Sequence, residues 1–113
     1  MLLDTYEKYD KGPCVVVLGK FDGVHIGHKK LFETARMRFN DTQIVAFTFA
    51  TQKESLTSSD EKIELLYDAG ADIIIRQRTD NGFFGLSREE FLKDVIYGKL
   101  QAVAIVLNIA KNN

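Results

Sequence analysis

The chain has 113 residues, 45% of them hydrophobic, and a formal net charge of −1. That is enough for one domain around one core, is too apolar for a disordered chain, and gives no general electrostatic basis for a nucleic-acid or membrane partner. No apolar run reaches bilayer-spanning length, and Met1 to Lys11 lacks the apolar centre of a secretion signal. The single cysteine, Cys14, excludes an internal disulfide and fits a cytoplasmic location. It lies inside an apolar run and reads as a buried, inert thiol rather than a nucleophile.

Short apolar runs alternate with longer amphipathic ones, without repeats or linkers. Tyr6 and Tyr9 read as packing residues. Cys14 to Gly19 is continuous and valine-rich, the pattern of a strand buried on both faces. Ile26 or Gly27 opens a helix to about Phe39. Leu31, Phe32, Ala35 and Phe39 share its inner face, and Lys29, Lys30, Arg36 and Arg38 lie mostly outside. Gln43 to Phe49 is a second buried strand. Ser58 and Glu61 have capping-box spacing, which starts a helix near Ser58 or Ser59. Ile63, Leu66 and Tyr67 face inward from it, and Gly70 suits its end. Asp72 to Ile75 is a third strand. After an Asn81-Gly82 turn signal, Ser87 with Glu90 opens a third helix with Phe91, Leu92, Val95 and Ile96 inside and Gly98 at its stop. Ala102 to Leu107 is the fourth strand.

Strands alternating with helices predict an α/β fold, a Rossmann-like parallel sheet of about four strands joined by right-handed crossovers. The sequence does not fix the strand order; a half-Rossmann order of 3-2-1-4 would place a switch point beside strand one. Ligands bind at such points, beyond the carboxyl ends of the strands.

The segment after strand one reads Gly19-Lys20-Phe21-Asp22-Gly23-Val24-His25-Ile26-Gly27-His28. Gly19 and Gly23 allow tight turns and close backbone approach. The helix start offers free N–H groups and a positive dipole end to an anion. His25 and His28, three residues apart, can face one ligand and donate hydrogen bonds to phosphate oxygens. No dinucleotide G-x-G-x-x-G or P-loop G-x-x-x-x-G-K-[ST] is present. A zinc site on His25, His28 and Asp22 lacks a clear further ligand, so no protein-held metal is expected. On the residues alone two readings stay open: a phosphate site, and a plain β-turn-α corner turned by glycines and capped by histidines.

The run Gly19-x-Phe21-Asp22-Gly23-Val24-His25-x-Gly27-His28 resembles the signature of the adenylyltransferase domain of bacterial FAD synthetase, the flavin half of the bifunctional riboflavin kinase/FMN adenylyltransferase. The broader HxGH nucleotidyltransferases share only its two ends. Ala46-Phe47-Thr48-Phe49, Leu56-Thr57, Glu61-Lys62, Leu65-Leu66, Gly70-Ala71-Asp72, Leu86-Ser87 and Glu89-Glu90-Phe91 extend the resemblance, in order, over nearly all of Val15 to Leu107. It implies a domain that joins FMN to ATP, forming FAD and pyrophosphate, with Mg²⁺ accompanying the nucleotide. His25 and His28 are the implied catalytic residues. Gly19, Lys20, Phe21, Asp22, Gly23, Gly27 and Thr48 are the implied nucleotide contacts. For Lys20, a solvated surface cation is an equal reading; for Thr48, an ordinary strand threonine is. Phe83-Phe84 invite a flavin-stacking role, but aromatics in such a loop more often anchor it to the core.

Three stretches depart from the resemblance. Ala50-Thr51-Gln52-Lys53 stands where the family has a Pro-His-Pro-like turn. Leu107 to Asn113 lacks a Gly-x-Asp-Phe-x-Phe-Gly-like segment. A later Ser-Ser-Thr-x-x-Arg-type motif and the riboflavin kinase domain are absent. Residues 1–113 therefore read as a single nucleotidyltransferase-like domain, truncated at its C-terminus relative to the family. The expectation is nucleotide binding with weak or no adenylyl transfer, the alternative being a non-catalytic nucleotide- or flavin-binding module or an inactive remnant. Strand four, apolar and at the sheet edge, is expected to pair with a second copy in a homo-oligomer.

Overall fold

The apolar runs become the strands of one parallel sheet. The computed structural model describes residues 1–19, 21, 26–50, 56–79 and 83–107, with the backbone alone at 26–28, 56–59 and 84. In chain order the elements are β1 (Leu2–Leu3), β2 (Cys14–Leu18), α1 (Ile26–Arg38), β3 (Gln43–Phe49), α2 (Leu56–Ala69), β4 (Ile73–Gln77), α3 (Arg88–Glu90), which continues as a π-helix (Phe91–Lys99), and β5 (Ala102–Leu107). The sheet runs β1-β4-β3-β2-β5, all pairs parallel. The strand order that the sequence does not fix is, for those four strands, 3-2-1-4, present as β4-β3-β2-β5, and the expected four strands become five.

The added strand, β1, is too short to carry a periodicity. Backbone and side-chain bonds hold it instead. Ile74 N donates to Met1 O at 3.0 Å and Arg78 N to Asp4 O at 2.9 Å. Gln77, wholly buried, accepts from Tyr6 N at 2.7 Å and donates to Arg78 O at 3.0 Å. The apolar pattern ends strand three at Ile75, whereas β4 runs on through Arg76 and Gln77 because these polar residues still hydrogen-bond in the ladder.

Side chains alternate across the sheet and fill two cores. Val15, Val17, Ile44, Ala46 and Ile74 pack with Phe32 and Ala35 of α1 and Ile63 and Leu66 of α2 on one face. Val16, Val45, Phe47, Ile73 and Ile75 pack with Tyr9 and with Val95 and Ile96 of the π-helix on the other. Tyr9 also donates its hydroxyl to Gly12 O at 2.7 Å, as a packing tyrosine that needs a partner for its polar end. Among the described residues no helix is long and apolar enough to cross a membrane.

Cys14 is fully buried, its thiol donating to Leu100 O at 3.2 Å. Burial raises its pKa, with the neighbouring Tyr9 side chain opposing. Because the folded thiol holds its proton above the value of an unfolded one, its contribution to stability is present below the ordinary thiol pKa, about 8.5, and declines as pH rises beyond it. At pH 8 the native protein is expected to give no reaction with Ellman's reagent, and one thiol on unfolding in guanidinium. Rapid labelling of the native state would contradict the burial.

Two helix boundaries differ from expectation. α2 begins at Leu56, so Ser58 lies within the helix rather than at its cap; Leu56 and Thr57 carry no stop signal to hold the helix back. The third helix keeps its capping box, Ser87 Oγ accepting from Glu90 N and Glu90 accepting from Ser87 N, but Gly98 does not end it. The helix continues to Lys99, and the left-handed residue beyond it is Gln101, φ 55°. Gly98 serves close approach instead, since a Cβ there would stand 2.9 Å from Lys93 O.

Candidate functional site

The carboxyl edge of the sheet is where β2 gives way to the glycine-rich segment. Gly19 N donates to Phe47 O at 3.1 Å, one last bond to β3 before the chain leaves the sheet. Phe21 then adopts φ 57°, a left-handed conformation uncommon for a bulky residue. Its side chain is buried at 1% exposure, with its ring 6.1 Å from that of Phe32 on α1. Strain of this kind persists where surrounding packing over-determines it. Phe21 thus anchors the chain at this point to the helix that follows.

Helix α1 starts at Ile26, so Gly27 and His28 lie in its first turn, whose N–H groups have no partners within the helix. No acidic residue stands in that turn to compete with an anion. Lys20, Asp22, Gly23 and His25 lie outside the described residues, as does the side chain of His28. β2 has β3 on one side and β5 on the other. The chain runs from β2 to β3 on one side and reaches β5 on the other only after β4, so the segment leaves the sheet at the expected switch point.

Thr48 is wholly buried near the carboxyl end of β3, paired in register with Arg76 of β4. Just beyond, Ala50 N donates to Gln77 O at 2.9 Å and Thr79 Oγ1 donates to Ala50 O at 3.0 Å, tying the ends of β3 and β4 together. Of the departing stretch Ala50 to Lys53, only Ala50 is among the described residues.

On the opposite face, an apolar groove of about 180 Å³ is lined by Phe49, Phe83, Leu86, Ser87, Arg88 and Phe91. Phe83 is 8% exposed and its ring lies 5.8 Å from Phe49, 5.7 Å from Phe91 and 6.1 Å from Tyr6. It anchors its loop, as expected, and also walls the groove. The side chain of Phe84 and the Asn81-Gly82 turn lie outside the described residues. The groove brings together side chains up to 42 positions apart (91 − 49), so no local motif announces it.

Residues 7–108 match the sequence pattern of FAD synthetase. The chain belongs to this family. Over 100 residues it is 33% identical to the bifunctional riboflavin kinase/FMN adenylyltransferase of Escherichia coli K12, covering 78% of this chain and 32% of that protein. The protein of the same description from Bacillus subtilis is 26% identical over 104 residues, 80% of this chain and 33% of that one. A Listeria monocytogenes FAD synthetase is 30% identical over 97 residues, 75% of this chain and 39% of that protein. The chain thus spans about a third of the length of the curated relatives it matches. The match takes in the glycine-rich segment, α1, Thr48 and the groove, all within residues 7–108.

Proposed function

We propose that this chain forms an FMN adenylyltransferase-type site, with MgATP held at Gly19 to His28 and FMN as the acceptor. The observation that carries this reading is the position of the family-matched segment: it leaves the carboxyl end of β2 at the switch point and runs into the start of α1. Gly19 and Gly23 let the backbone approach the phosphates, and the first turn around Gly27 contributes N–H donors. Lys20 and Asp22 border the nucleotide, and Thr48 lies beneath it. His25 and His28 donate to the phosphates and stabilise charge growing at the α-phosphate.

An FMN phosphate oxygen attacks the α-phosphorus as the bond to the β-phosphate's bridging oxygen breaks, giving FAD and pyrophosphate. The attacking phosphate is already ionised at neutral pH, so no general base is needed and catalysis rests on positioning and charge. Among the described residues no cluster of three or more His, Cys, Asp or Glu is placed to hold a metal ion. Mg²⁺ belongs in this reading to the substrate, chelated by the ATP phosphates. A cytoplasmic location, supported by one buried reduced cysteine, belongs to the same reading.

The test is isothermal titration with MgATP and FMN, followed by an assay for FAD and pyrophosphate. Both products appearing together support the enzyme. Binding without turnover supports a nucleotide- or flavin-binding module, the second reading, which is favoured by the lack of histidine and proline in residues 50–53. No binding of either ligand defeats both.

Self-association through β5 is part of the proposal. β5 pairs only with β2 among the described strands, and its six residues carry no charge. Val103 and Leu107 are 53% and 54% exposed. The register skips Val103, a bulge that blunts the start of this edge and leaves Ala104 to Leu107 to pair with a second copy. Light scattering is expected to show mass rising with concentration, less so in Leu107→Lys. A monomer throughout would overturn the idea.

A further inference from the structure

We infer that Arg76 is a phosphate-binding residue of the nucleotide site, a role that rests on the reading of Gly19 to His28 as that site. Arg76 is the one Lys or Arg inside any described strand. Along β4, Ile73 and Ile75 enter the core beneath the π-helix and Ile74 the core beneath α1 and α2. Alternation carries Arg76 out on the α1–α2 face, one step beyond Ile74 towards the carboxyl edge.

Its partner in register on β3 is Thr48, on the same face by the same count from Ile44 and Ala46. The row continues onto β2. Val17 pairs with Ala46, so Gly19 stands opposite Thr48, where its N–H already bonds to Phe47 O. Gly19, Thr48 and Arg76 therefore form one row across three adjacent strands, on the face where α1 begins. Arg76 Cα lies two strand spacings from β2, roughly 10 Å, a gap that its long side chain and a phosphate chain can close together.

The chemistry suits the place. A guanidinium keeps its charge at all working pH values and forks onto two phosphate oxygens at once. A strand position holds its backbone rigidly. Arg76 is half-buried, which shields its field from solvent. The other cations near this edge are placed differently. Arg78 is 55% exposed and 4.0 Å from Asp4, and Arg88 lines the groove on the opposite face. Lys29 and Lys30 are exposed on α1.

The experiment titrates wild type, Arg76→Met, Arg76→Lys and Arg38→Met with MgATP, and with adenosine by competition, alongside melting curves. Arg38 is exposed at the far end of α1 and serves as a surface-charge control. Arg76→Met is expected to weaken MgATP roughly 10- to 150-fold and to leave adenosine unchanged, beside whatever stability is lost with the contacts that Arg76 makes within the fold. Arg76→Lys should fall between, and Arg38→Met should match wild type. Equal MgATP affinity in wild type and Arg76→Met overturns the inference while leaving the nucleotide site standing. Parallel loss of MgATP, adenosine and thermal stability makes Arg76 structural and also overturns it. Should Arg76→Met not fold, Arg76→Lys decides, because it keeps the charge and the aliphatic stem but loses the fork. Failure of the wild type to bind MgATP refutes the underlying reading itself.

Discussion

Replacing His28 by alanine is expected to weaken MgATP binding roughly 10- to 150-fold, the equivalent of one charge-assisted hydrogen bond worth about 1.5–3 kcal/mol. His28 enters α1 in its first turn, where the backbone N–H groups already favour an anion and no acidic residue opposes one. In the proposed reading the imidazole adds a donor at this turn, beside Gly19, which the sheet positions, and Phe21, which the core holds. Its removal should therefore cost binding and little else. Lys30, exposed two residues further along the same helix, is the comparison: Lys30→Ala removes a nearby charge and leaves the imidazole in place. Loss of a single exposed charge is worth little. Calorimetric titration of the two variants separates the cases. Equal, small losses would mean that His28 acts only through general charge or not at all. Where turnover is observed, His28→Ala should also slow it by about 10²- to 10³-fold, as for removal of one donor to developing charge.

The setting of the glycine-rich segment was legible because the first two buried strands and the start of the helix between them were. Cys14 to Gly19 and Gln43 to Phe49 are unbroken apolar runs, and a strand buried on both faces leaves little choice of register or boundary. The helix after the glycines had a clear apolar stripe, Phe32-Ala35-Phe39, and the structure seats that stripe on β2 and β3. Once the strand order was set, the loop's address followed. What escaped was whatever depends on neighbours distant in sequence. β1 exists because Met1 bonds to Ile74 of β4 and Asp4 to Arg78 just beyond it, over seventy positions away (74 − 1 and 78 − 4). Arg76 falls just past the apolar run that marks strand three, and only the sheet register pairs it with Thr48. The groove joins Phe49 to Phe83 and Phe91, which share no local pattern. Gly98 was misread for a related reason. A glycine near a helix end signals a stop, whereas here the wide turns of the π-helix bring Lys93 O close and only glycine fits.

Gly70 meets the expectation that Gly98 did not, and its replacement should be among the most damaging single changes to stability. Gly70 N donates to Tyr67 O and Ala71 N to Leu66 O, both at 3.1 Å, the paired bonds of a Schellman ending to α2. The motif holds Gly70 at φ +127°, a conformation side chains rarely adopt. Alanine there incurs backbone strain of about 1–3 kcal/mol. Its Cβ also meets Phe32 Cβ at 3.2 Å, and Phe32 is 1% exposed, so it cannot swing away. For a domain of this size each kcal/mol lowers the melting temperature by roughly 4–8 °C, so Gly70→Ala should melt roughly 5–20 °C below wild type. Gly12→Ala separates the two contributions, since Gly12 has φ +78° with nothing within 4 Å of its Cβ position. It carries strain without collision and should lose less. Gly85→Ala has neither, and should stay within about 0.5 kcal/mol of wild type. The ranking Gly70, Gly12, Gly85 in calorimetric scans is the prediction, and equal losses at Gly70 and Gly12 would show that Phe32 yields. The contact also reaches the site. Phe32 is the ring against which Phe21 clamps the glycine-rich segment. A displaced Phe32 should therefore weaken MgATP binding even well below the melting temperature, and Gly12→Ala, remote from that ring pair, should leave it unchanged.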